Sequence, residues 1–178
     1  MDSYAVFLRG VNVGGINIKM ADLREALQTP SFSGVKTLLA SGNVVLHSDH
    51  GASAVKDEIE ACLRKSFGYD AWVVVLPAAR VAELIDSCSY PSDDKTTHSY
   101  VTLASDPAML DELFAAGDAL HGAQQERLGP EAMAWLAPVG GTLDSPFSKI
   151  SAKPKFKAST TTRNLRTMIK VRDAATTR

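Results

Sequence analysis

Hydrophobic and polar positions alternate between two periods along the chain. Residues 4–8 (Tyr-Ala-Val-Phe-Leu) form a short apolar run of β-formers ending at Gly10, which predicts a buried strand. Met20, Leu23 and Leu27 recur at helical spacing and predict a short helix over 20–28, stopped by Pro30 and Gly34. Residues 35–39 and 43–46 read as two strands joined through Ala-Ser-Gly, a hairpin signature. Val55, Ile59, Cys62, Leu63 and Phe67 make one apolar stripe, opposite Lys56, Asp57, Glu60 and Arg64. Ser53 is the expected N-cap of that helix and Gly68 its expected end. The near-continuous apolar run 72–76 predicts a well-buried strand.

The order β-α-β-β-α-β is the split-βαβ, ferredoxin-like plan. A further helix is expected after Pro77, carrying Val81, Leu84 and Ile85 on one side. Polar, Pro-containing residues 89–96 then form the expected linker. Beyond it β-α-β-β recurs. A strand covers 99–103, and Ser105-Asp-Pro caps a helix that Gly117 is expected to end. Two strands, 125–128 and 132–136, flank a Gly129-Pro130 turn. Residues 145–150 read as one or two helical turns, and 153–157 as a Pro-interrupted loop. Thr162 is expected to cap a last helix, 163–173, docking through Leu165, Met168 and Ile169, with Arg163, Arg166 and Lys170 as a basic stripe. The predicted class is α+β: tandem ferredoxin-like (α-β plait) units with mainly antiparallel sheets, residues 1–88 and 97–178, plus a C-terminal helix.

Composition fits this picture. The 178 residues are 45% apolar and 22% charged, enough to form a core and too apolar for wholesale disorder. The start lacks the basic and apolar regions of a signal peptide, and no apolar run nears the roughly 20 residues of a membrane helix. A cytoplasmic location without membrane contact is therefore the expectation. Cys62 and Cys88 form no C-x-x-C pair and read as small buried hydrophobes.

Net charge is −1, but it is unevenly spread. From Lys149 onward, nine Lys and Arg residues face the single acid Asp173, leaving residues 1–148 with an acidic excess of nine. A basic tail on an acidic body points either to an anionic partner or to a tail neutralised by its own body.

Candidate chemistry begins at Gly10-Val-Asn-Val-Gly-Gly15, between a strand and a helix. Gly10 and Gly15 have P-loop spacing, yet Ile16 and Asn17 stand where nucleotide hydrolysis needs Lys and Ser or Thr. The dinucleotide G-x-G-x-x-G also fails, so no cofactor is identified. What remains is backbone N–H groups exposed by glycine, with donors from Arg9, Asn12, Asn17 and Lys19 nearby. Ser41-Gly42-Asn43 lacks the strand-turn-helix setting of a nucleophile elbow and reads as a hairpin turn. Its expected place is the end of the sheet opposite the Gly/Asn loop, so the two segments are not expected to meet. His47, Asp49 and His50 are close in sequence without metal-site spacing, so no metal is expected. Thr160-Thr-Thr-Arg-Asn164 is expected to open the last helix, where free N–H groups suit an anion. The strand 43–47 lacks the base-stacking aromatics of an RRM, which disfavours that mode of RNA reading while leaving phosphate-backbone binding open.

Phe7-Leu-Arg-Gly-Val-Asn-Val-Gly-Gly15, Ser41-Gly-Asn-Val-Val45 and Thr162-Arg-Asn164 resemble the uncharacterised bacterial family called domain of unknown function 1697. The resemblance spans essentially the whole chain and implies tandem ferredoxin-like units. It implies no activity, since the family has no established site residues. Where similar sequences carry Trp and Asn after Thr-Arg-Asn, this chain has Leu165 and Arg166.

The functional expectation is binding of an anion: a nucleotide, a phosphorylated metabolite or a nucleic-acid backbone. Arg9, Asn12, Gly14, Gly15, Asn17 and Lys19 would form one wall, and Lys149, Thr162, Arg163 and Asn164 the other. Two alternatives stay open: an enzyme using the loop as an oxyanion or phosphate cradle, and an interaction module showing an exposed apolar patch. Oligomeric state is not legible.

Overall fold

β1 (Asp2–Leu8) is a central strand, and every residue from Tyr4 to Leu8 is buried in the computed structural model, which describes residues 1–11 and 16–177. It is followed by α1 (Met20–Ala26), β2 (Ser33–Leu38), β3 (Asn43–Ser48), α2 (Ala52–Phe67) and β4 (Val73–Pro77). The four strands form one antiparallel sheet in the order β2-β3-β1-β4. That is the ferredoxin-like order expected from the sequence. Alternation along β1 sends Tyr4, Val6 and Leu8 to the helix side, where they join Leu23, Leu27, Val55, Ile59 and Leu63. Each such side chain, fully buried, contributes about 1.5–3 kcal/mol relative to exposure.

α3 (Ala78–Ser87) follows, and residues 88–96 contain no helix or strand. Then come β5 (Thr97–Ala104), α4 (Pro107–Asp118), β6 (Gln125–Gly129), β7 (Ala132–Pro138), α5 (Pro146–Ser151), α6 (Pro154–Lys157), β8 (Thr160–Asn164) and α7 (Leu165–Thr176). The second sheet has the order β6-β7-β5-β8, all antiparallel, the same plan again. Its core gathers Leu110 and Leu113 of α4, Met133, Trp135 and Ala137 of β7, Phe147 and Phe156. The chain divides into two units, Met1–Ala82 with Lys170–Arg178, and Glu83–Ile169. Among the described residues no helix is long and apolar enough to cross a membrane.

Several local expectations are corrected. Residues 160–164 are a strand, not a helix opening: three consecutive β-branched threonines favour extended backbone, and β5 pairs with them from Tyr100↔Asn164 to Ala104↔Thr160. Thr162 therefore caps nothing. Asn164 does, its side-chain oxygen accepting from the Arg166 N–H at 2.9 Å. Residues 154–157 form a helical turn because Pro154 occupies the first helical position, where its missing N–H has no cost. Gly51, not Ser53, precedes α2, without a side-chain cap, while Gly68 does end it at φ +66°. Gly117 sits inside α4 and is buried, because the Gln125 amide packs where its Cβ would stand.

Candidate functional site

The Gly/Asn loop leaves the end of β1, and Asn12, Gly14 and Gly15 lie outside the described residues. At the described start of the loop the sheet builds a defined setting. The Leu8 N–H donates to the Gly42 carbonyl at 2.9 Å, and the Arg9 N–H to the Trp72 carbonyl at 3.3 Å. So Ser41-Gly42-Asn43 lies beside the start of the loop, not at the far end of the sheet. The direction of the strands explains this correction. β1 and β2 run the same way, linked through α1, so the β2–β3 turn returns at the end where β1 finishes.

The approach is tight. Gly42 has φ +77°, and a Cβ there would come within 3.0 Å of Leu8 Cβ and 3.3 Å of Val11 Cβ. At the other end of the turn Leu39 holds φ +59°, a left-handed conformation that costs an L-residue about 1–2 kcal/mol, with its side chain 44% exposed. Asn43, fully buried, donates through Nδ2 to the Leu38 carbonyl and to Ser41 Oγ, both at 2.9 Å. The exposed Ser41 hydroxyl thus accepts from Asn43 and keeps its own O–H as a donor.

Among the described residues, the charged side chains of this stretch include Arg9, Lys19, Lys56 and Glu60. The Arg9 guanidinium and the Lys56 ammonium each lie 5.8 Å from the centroid of the Trp72 ring. Lys56 also bonds Glu60 and the Val73 carbonyl, while the same Glu60 oxygen accepts from the Val73 N–H at 3.0 Å. Asn17 and Lys19 are exposed, with no side-chain partner among the described residues.

The remaining predicted residues belong to the second unit. Lys149 is exposed on α5. Thr162 faces the core side of its sheet, its hydroxyl 2.8 Å from that of Thr102, which in turn accepts from Trp135 Nε1 at 3.0 Å. Arg163 is 6% exposed, so it is no part of an exposed stripe. Its Nη1 donates to Thr161 Oγ1 at 2.7 Å and to the Thr162 carbonyl at 3.0 Å. Burial lowers its pKa from 12.5 to about 10, which still leaves it charged at neutral pH.

Other candidates resolve into local structure. Asp49 pairs with the Met1 amine at 3.0 Å, His50 lies 3.8 Å from Glu58, and His47 packs at Gly34. Cys62 and Cys88 are free, half-buried thiols whose pKa is pushed up mainly by burial. Ser41 is the residue that sequence reasoning set aside; the signal that could have found it was the strand direction implied by the plan itself.

A solved structure, the conserved bacterial protein SP0830 from Streptococcus pneumoniae, superposes with a TM-score of 0.81 at 19% identity, over 98% of this chain and 98% of that one. The likeness bears on the fold alone. An unknown protein from Galdieria sulphuraria aligns at 13% identity over 92% of this chain and 96% of its own, with a TM-score of 0.25, too low to carry an argument. No curated protein matches the chain. The family described as "protein of unknown function (DUF1697)" matches residues 1–132, about three quarters of the sequence, and the chain belongs to it.

Proposed function

We propose that the first unit binds a small anionic ligand, a nucleotide or phosphorylated metabolite, at the sheet end where residues 8–11 meet the turn 39–42. The observation that carries this reading is the Leu8–Gly42 hydrogen bond, which joins the two polar motifs at one sheet end. A glycine held against Leu8 and a left-handed Leu39 support it, since strained turns persist where the surroundings over-determine them. Arg9, Asn17, Lys19 and Ser41 supply positive charge and donors suited to phosphate oxygens. Glu60, the carboxylate beside the Arg9–Trp72–Lys56 group, is already bonded to Lys56 and the Val73 N–H. That favours binding over general-base catalysis.

A thermal-shift screen of the whole chain against nucleotides and phosphorylated metabolites tests the reading. A ligand at 100 times its Kd adds about 2.7 kcal/mol to stability. The expected result is a saturable rise in Tm for at least one phosphorylated compound, with affinity reduced about tenfold or more in Lys19→Ala, the effect of one lost charge-assisted bond. No stabilisation at millimolar concentrations, or an undiminished rise in the Lys19→Ala, Ser41→Ala double variant, would overturn it.

A further inference from the structure

We infer that the second unit binds a small aromatic molecule bearing one hydrogen-bonding group, in a cavity of about 240 Å³ between the end of β7, the loop after α4 and the start of α5. This site lies wholly within the second unit and is independent of the anion reading. Its wall is mainly apolar, with Ala123, Leu136, Ala137, Pro138, Pro146 and Phe147 contributing. Apolar cavities of roughly 150 Å³ take a benzene ring, so this one has room for a bicyclic ring.

Two features select an aromatic ligand with a polar group. Phe147 ends a run of three rings: its centroid is 4.7 Å from that of Trp135, tilted by 40°, and Trp135 stacks on Tyr100 at 4.7 Å and 24°. A ring entering the cavity extends that run, in the offset or tilted contacts that aromatic quadrupoles favour. The polar part of the lining includes His121 and Gln124, whose side chains make no hydrogen bond among the described residues. Ser145, by contrast, is occupied by the Thr142 carbonyl and by Ser148.

Indole is the probe, followed on the full chain by ¹⁵N–¹H spectra. The two tryptophans give two indole N–H signals, one an internal control. The expected result is a saturable shift of the Trp135 indole and of the Ala123, Ala137 and Phe147 amides, with the Trp72 indole unmoved. Ala123→Phe, at a half-exposed lining position, fills the cavity and weakens binding at least tenfold. Should that variant not fold, His121→Ala, at an exposed position, weakens it at least threefold. Absence of saturable shifts at these amides up to several millimolar indole, equal movement of both tryptophans, or unchanged affinity in the folded variant overturns the inference.

Discussion

Gly42 is where a single methyl group tests the site's construction. Its positive φ and the 3.0 Å approach of a would-be Cβ to Leu8 predict that Gly42→Ala costs about 2 kcal/mol, read from the urea midpoint at constant m. Leu39 predicts the opposite sign. Asn tolerates the left-handed region better, so Leu39→Asn should raise stability by about 0.5–1 kcal/mol in the same assay. Asp94 gives a residue-scale prediction in pH. Its carboxylate accepts from the Thr96 hydroxyl and N–H, both at 2.6 Å, and from the Thr97 N–H at 2.9 Å. These bonds favour the charged form and lower its pKa from 3.8 to about 2. The stabilising contribution is therefore complete above about pH 4 and is lost as pH falls through 2. A carboxyl-carbon NMR titration should find a midpoint near 2, and a midpoint near 3.8 would contradict these contacts.

Elements with a clear apolar period were legible: the strands at 4–8 and 72–76 and the stripe of α2 declare themselves by spacing alone. Other elements were hidden for identifiable reasons. β8 has no apolar alternation, because Thr160, Thr161 and Thr162 are polar in composition while β-branched in shape. The missing fourth strand of a repeated plan was the signal that could have found it. The candidate site was half legible. Its glycines and donors were visible, but the meeting of Ser41-Gly42-Asn43 with the loop followed from strand direction, which the sequence reading reversed. Residues 170–178 carry an element-scale prediction, since they belong to the first unit, Val171 and Ala175 are buried and the Ala175 carbonyl accepts from Ser3 Oγ at 3.0 Å. A chain ended at Ile169 should lose about 3 kcal/mol, more than one buried valine alone accounts for, as measured by denaturant unfolding.

Across the whole molecule, the basic surplus after Lys149 is partly neutralised close by. Lys155 pairs with Glu112, Arg172 with Asp173 at 2.8 Å, Arg166 Nε donates to the Ser92 carbonyl at 2.8 Å, and Arg163 is buried. The tail therefore presents fewer open cations than its composition suggests, which favours a small anion over a long phosphate backbone. Affinity for duplex DNA, if any, should fall steeply between 50 and 200 mM salt, the mark of counterion release. The most direct test of the central claim is a ¹⁵N–¹H titration of the intact chain with pyrophosphate. Saturable shifts should appear at the amides of Arg9, Gly10, Asn17, Lys19, Ser41 and Gly42, with the midpoint moved about tenfold or more to higher pyrophosphate in Lys19→Ala. Shifts confined to the lysines between 149 and 157, or none at all, would contradict an anion site at the end of the first sheet.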